Sequence, residues 1–454
     1  MPSTRWWTRT SDAMRTRLWP LPLLGVVCAL AAGIGLPAVD KALTDVLPIT
    51  VRDNLFGGGA AEARELLGTV ASSLITVTSL TFSLTVVTLQ LASGQYSPRL
   101  LRTFARDRFV QGTLALFLAA FVYTLSVLRS VRDQSSDVPS FVPQLSITVG
   151  YLLAFVSVIG LVFFLAHLVR EIRVETMMDT VRGDAMVAGR TMFAERDDSE
   201  EAAPVPAPPD NALPVTANST GFLVDVDTED LLSAATNADA VVLVDRVPGD
   251  WIIADTPVAF VWPADGAGLP DEDGRKKLCE QIAATICTGN ERTPVQDVGY
   301  GLRQLTDVAI KALSPGINDP TTAVHAIGHS AALLSELAKR QLGSTVRRSD
   351  DGIVRVVRRH PDIADLLDIA ISQPLQYGRE EPAVLAELLT LLRDVGWRVT
   401  EPAHKSAVSS QLTRLRRVVA ETDLDISAQE QLGRLGMAVD SALAGVWLPS
   451  LSNP

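Results

Sequence analysis

Four long apolar runs fall within the first 170 residues, at 18–39, 66–92, 110–128 and 145–169, and no comparable run follows them. Each is about the 17–25 residues a helix needs to cross a hydrocarbon core. The pattern predicts four transmembrane helices ahead of a more polar region. The second run differs from the others in texture. It carries no charged residue, yet hydroxyl side chains crowd it. At helical spacing Thr69, Ser72, Thr76, Ser79 and Ser83 fall on one stripe, with Gln90 two turns further on. Thr78, Thr81, Thr85 and Thr88 fall on a second stripe. A helix held only in lipid needs no such groups. Hydroxyls can bond the carbonyl four residues back, and small residues let helices approach closely. Two readings therefore stand open: a helix packed inside protein, or one bordering a water-filled path.

Past Arg170 the periodicity changes. The fourth span is expected to continue as a helix to about residue 193, and residues 195–214, acidic and then rich in Pro and Ala, read as a linker. Alternation at 221–226 and β-branched runs at 241–247 and 257–262 predict strands, with a short helix at 228–238. These suggest a small β-domain of barrel or sandwich type. Beyond residue 271 helices are predicted at 272–288, 298–313, 320–342, 361–376, 382–399, 403–422 and 428–444. A hairpin is expected at 344–358, turning at Asp351–Gly352. The fold class expected is an α-helical integral membrane protein with four transmembrane helices plus a cytoplasmic α+β region. Its parts are a membrane domain (1–175), a helix extension and linker (176–218), a β-domain (219–265) and a mainly helical domain (266–454).

Arginines orient the spans. Arg5, Arg9, Arg15 and Arg17 precede the first, Arg99, Arg102, Arg106 and Arg108 follow the second, and Arg170, Arg173 and Arg182 follow the fourth. Both termini are thus expected in the cytoplasm of a bacterial inner (plasma) membrane. A cleaved signal peptide also fits a basic start and an apolar core, but cleavage would strand the Arg99–Arg108 cluster outside. That basic stretch reads as an interfacial helix after a turn at 94–99. The net charge of −12 on 454 residues argues against a nucleic-acid partner. The three cysteines make no disulfide framework. No Asp, Glu, Lys or Arg lies within a span core, and such residues mark ion-coupled transporters. Passive conduction gains from their absence, and His167, near the cytoplasmic end of the fourth span, reads as an interfacial residue.

The densest polar cluster is DVGYGLRQLTDVAIKALSPGINDPTTA, residues 297–323. Arg303, Asp307 and Lys311 are spaced by four on one helix face. Ser314, Asn318, Asp319, Thr321 and Thr322 belong to a compact turn and the start of the next helix, where Asp319–Pro320 is a cap signal. A well-capped corner explains most of this, and a ligand or interface site is the sharper reading. His325 and His329 have chelating spacing, but no Glu adjoins either one, so no metal and no cofactor are expected.

The stretches SLTFSLTVVTLQLASGQYSPRLL and GLRQLTDVAIKALSPGINDPTTAV resemble a bacterial family of predicted membrane proteins of unknown function. The resemblance implies a membrane location and this architecture over most of the chain, and it supplies no catalytic residue. The function expected is a non-enzymatic, homo-oligomeric channel or pore-like protein in the lipid bilayer, passing an ion or small solute. Its second span would line or border the path, and its cytoplasmic domain would assemble or gate it. The alternative is a membrane-anchored sensor or scaffold binding a ligand or partner through residues 297–323.

Overall fold

The structure is a computed structural model and describes residues 19–43, 55–95, 107–133, 140–171, 173–195, 205–264 and 268–449. The basic N-terminal segment, most of the expected interfacial helix at 99–108 and the acidic half of the linker lie outside the described residues. The chain divides into two compact units, Met1–Arg173 and Val174–Pro454.

The first unit holds α1 (Pro20–Leu43), α2 (Ala60–Gln95), α3 (Arg108–Ser130) and α4 (Gln144–Glu171). Among the described residues these four are long and apolar enough to cross a membrane. Helix α3 is the central one: it packs on all three others, and half of its apolar window is buried, against 17% for α1 and for α4. Small residues set the α1–α3 contact. A Cβ on Gly33 would lie 2.5 Å from the Ser126 Cβ, and one on Gly25 would lie 3.2 Å from the Ala115 carbonyl oxygen. Gly25, Ala29 and Gly33 therefore form a small-xxx-small seam that brings the backbones together. The helix ends are tied by carboxylates. Asp107 caps α3, accepting from the Phe109 amide at 2.8 Å. Asp40, at the end of α1, accepts from the Ser146 amide at 2.8 Å and the Ser146 hydroxyl at 2.7 Å, and so satisfies the open N-terminus of α4.

The second unit begins with α5 (Val174–Met192), a separate helix from α4 by its hydrogen bonding. Strands follow as β1 (Leu213–Thr216), β2 (Gly221–Val226), β3 (Ala240–Val244), β4 (Trp251–Ile252), β5 (Pro257–Pro263), β6 (Ile286–Gly289), β7 (Thr345–Arg348) and β8 (Val354–Arg358). They form a five-stranded sheet ordered β1-β5-β3-β8-β7, with β3 and β8 parallel, and a three-stranded sheet ordered β4-β2-β6. Helices α6 (Thr228–Asn237) and α7 (Glu272–Thr285) close a core around Leu223, Leu231, Val242, Val261, Ile282 and Val356.

This arrangement differs from the expected small β-domain at 219–265. The hairpin of β7 and β8 joins the same sheet as β3, and β1 enters it from what was expected to be linker. Local alternation reveals strands but not their partners, so a parallel pairing across more than a hundred residues leaves no local trace. The helix expected at 272–288 ends at Thr285, because Ile286–Gly289 pairs with β2. Cys287 accordingly lies on a strand and Cys279 on α7.

The remaining helices are α8 (Val298–Ala312), α9 (Pro320–Leu337), α10 (Ile363–Tyr377), α11 (Pro382–Arg398), α12 (Pro402–Glu421) and α13 (Ile426–Leu443). Helix α5 packs on α8 and α9 through Met177, Met178, Val181, Ala185 and Ala188. Gly301 permits this contact, since a Cβ there would lie 2.4 Å from that of Ala185.

Candidate functional site

The two hydroxyl stripes of α2 separate completely. Their mean directions are about 180° apart on a helix of 3.6 residues per turn. Thr78, Thr81, Thr85 and Thr88 are buried on the side where α2 meets α3 and α4. Thr69, Ser72, Thr76, Ser79, Ser83 and Gln90 are all exposed on the opposite side. The sequence placed both sets at helical spacing but could not assign either to the interior.

The inner hydroxyls are used within the helix. Thr78 donates to the Leu74 carbonyl at 2.6 Å, Thr85 to Thr81 at 2.8 Å and Thr88 to Leu84 at 2.8 Å. Thr81 is fully buried, and its hydroxyl has no partner among the described residues. On the outer stripe Ser72 donates to the Thr69 carbonyl at 3.0 Å and Thr76 to Ser72 at 2.8 Å. An open groove of about 510 Å³ runs beside the stripe, lined by Ile75, Thr76, Ser79, Leu80 and Ser83.

The neighbouring helices supply the comparison that gives this face meaning. The exposed large side chains of α1 include Leu23, Leu24, Val27, Leu30 and Ile34, and those of α4 include Leu152, Phe155, Val158, Ile159, Val162 and Phe163. Those surfaces suit lipid. The outer face of α2 carries a line of hydroxyls and one amide from Thr69 to Gln90, about 32 Å at 1.5 Å per residue, comparable to the hydrocarbon thickness of about 30 Å.

A pair that sequence reasoning missed lies at the far end of the unit. His167 on α4 contacts Asp107 at 2.5 Å through Nε2, and its ring lies 4.6 Å from that of Phe109. His167 is thus fastened to the start of α3. The signal available was Asp107 itself, an N-cap residue ahead of an apolar run.

In the second unit the polar cluster at 297–323 resolves into two parts. Asp297 is buried and caps α8 by accepting from the Tyr300 amide at 2.9 Å. Arg292 grips it with two hydrogen bonds, Nε at 2.8 Å and Nη2 at 2.9 Å. Burial pushes the Asp297 carboxyl up to about 6, against the pull of Arg292. Gly249 makes room for this pair, with φ +97° and a would-be Cβ only 2.4 Å from Asp297 Oδ2. Arg303 reaches across to Gln373 on α10 at 3.2 Å, and Asp307 lies one turn on, half-buried.

The second part is an exposed corner whose polar groups serve the backbone. The Ser314 carbonyl accepts from the amides of Ile317 at 3.0 Å and Asn318 at 2.9 Å, and the Asp319 amide donates to Ala312 at 2.9 Å. Asn318 occupies the left-handed region at φ +51°. Asp319 caps α9, accepting from the Thr322 hydroxyl at 2.6 Å and its amide at 3.1 Å, and these bonds hold its carboxyl below the usual range. Thr321 is exposed beside it. His325 lies 3.9 Å from Glu175 on α5, while burial, then Arg182, lowers the His329 imidazole. Among the described residues no three metal-ligating side chains converge.

Comparison with known proteins places the chain. A family model described as predicted membrane protein (DUF2254) matches residues 15–394. Uncharacterized proteins of Mycobacterium bovis and Mycobacterium tuberculosis are 34% identical over 422 residues, covering 92% of this chain and 78% of theirs. No solved structure matches. The four apolar helices, with their interleaved hydroxyls, and the capped corner at 314–322 are thus features of a protein that belongs to the DUF2254 family of predicted membrane proteins.

Proposed function

We propose that this membrane protein is a homo-oligomeric channel of the bacterial plasma membrane in which the outer face of α2 borders the conduction path. One observation carries the reading: the exposed faces of α1 and α4 are apolar over most of their length, while the exposed face of α2 carries, between Ile75, Leu80, Phe82 and Val87, a row of hydroxyls about 21 Å long from Thr69 to Ser83 with Gln90 beyond it. Polar but un-ionised walls pass a solute without binding it tightly. A polar face left in contact with lipid gains nothing, whereas the same face turned to water or to the α2 of another copy is satisfied. The unit from Val174 onward would assemble or gate the copies, with both termini in the cytoplasm. The role is passage rather than catalysis.

The test is reconstitution of the purified full-length protein into planar bilayers and liposomes. Discrete conductance steps under voltage, tension or osmotic shock are expected. Their absence under all three would sink the reading.

A second reading is favoured by the corner at 314–319, which presents Ile317 at 42% exposure on a turn held by the amides of Ser314, Ile317, Asn318 and Asp319. On that reading the corner is a docking point of a membrane-anchored sensor or scaffold. Substituting Ile317 by Asp would then abolish partner capture and leave permeability unchanged.

A further inference from the structure

The outer face of α2 does not end with its hydroxyls. Starting at Glu65, positions 69, 72, 76, 79, 83, 86 and 90 follow in strictly alternating steps of four and three. All are exposed except Val86, which is half-buried. A seam of period 3.5 is the pattern that keeps one face of each helix turned to a shared axis when helices wind together. One step before the first hydroxyl, this seam carries a carboxylate.

Glu65 is exposed and forms no ion pair among the described residues. The nearby charges are directed elsewhere. Arg64, about 100° further round the helix, pairs with Asp133 and donates to the Val131 carbonyl at 3.3 Å. Glu62 lies back over the preceding turn, where its Oε2 would be 2.8 Å from a Cβ on Gly59. From Glu65 to Gln90 the seam holds no other ionisable residue.

We propose that Glu65 sets the charge preference of the path and that the permeant class is small cations. The inference rests on the pore reading given above. Copies arranged about an axis bring one Glu65 each to the same level at the Ala60 end of α2. Converging carboxylates concentrate cations at a mouth and repel anions. Beyond that mouth the uncharged hydroxyl wall offers no deep binding site, so an entering cation can leave.

The experiment measures the ratio of potassium to chloride permeability from reversal potentials of the reconstituted full chain under a potassium chloride gradient. The parent should prefer potassium several-fold. Glu65→Gln should bring the ratio close to one, and Glu65→Lys should turn the preference to chloride. Both variants alter an exposed side chain, so unchanged thermal unfolding and unchanged oligomer size are the controls. A conducting parent that is unselective or prefers chloride overturns the proposal and leaves the pore reading intact, as does a Glu65→Gln variant with the parent's ratio. A parent with no conductance overturns the pore reading, and this proposal with it.

Discussion

His360 sits at the end of β8, buried against Phe193 with ring centroids 5.6 Å apart, and its Nδ1 has no partner among the described residues. Burial, then the neighbouring Arg358, lowers its pKa from 6.5 to about 3. The folded state therefore binds this proton less readily than the unfolded chain does. Stability is independent of this residue above about pH 6.5 and falls as pH drops towards 3, by at most about 1.4 kcal/mol per pH unit. Asp297 works in the opposite direction, since its raised pKa makes stability fall as pH rises through about 6. The readout is therefore a difference: between about pH 6.5 and about pH 4 a His360→Gln variant should lose less stability than the parent, as measured by thermal unfolding. Equal slopes would show that the imidazole is not held neutral. Two further residues have sharper geometric roles. Gly249→Ala should destabilise by more than about 1 kcal/mol, because φ +97° suits glycine and a Cβ would collide with the Asp297–Arg292 pair. Asp319→Ala should cost about 1 kcal/mol through the lost cap of α9. Chemical denaturation checks both.

At the scale of the element, α2 is two helices in one. Its inner face packs like a buried membrane helix, with Thr78, Thr85 and Thr88 bonded to their own backbone, and its outer face leaves a row of hydroxyls exposed. Cysteine scanning reads this directly once Cys28, Cys279 and Cys287 are replaced by serine. Thr76→Cys, Ser79→Cys and Ser83→Cys should react with a membrane-impermeant thiol reagent and cross-link between copies, while Leu74→Cys and Thr81→Cys should stay protected. Protection of the outer set together with an absence of cross-links would place that face in lipid. The α1–α3 seam is the other element-level prediction. Gly33→Leu should disrupt the close approach to Ser126 and lower the yield of folded protein, seen by size-exclusion chromatography.

For the whole molecule, the pore reading proposed above predicts a closed assembly of identical chains, with the seam on one helix of each copy facing its equivalents around an axis. Native mass spectrometry from nanodiscs should give one defined oligomer, and Ser79→Leu should shift it towards smaller species or abolish conductance while leaving the fold intact. A monomer that conducts would show that the path runs through a single chain. Much of this molecule was legible from its sequence because a bilayer imposes a strong, local rule. About twenty apolar residues in a row have few other uses, and Asp319–Pro320 announces a helix start through chemistry confined to four residues. The sheet was less legible, since β3 pairs with β8 across more than a hundred residues and strand alternation does not name a partner. The same limit applied to the candidate site. Spacing determined that α2 carries two hydroxyl stripes about 180° apart. Only the packing of α3 and α4 against one of them decided which stripe is spent inside the bundle and which, headed by Glu65, is left facing outward.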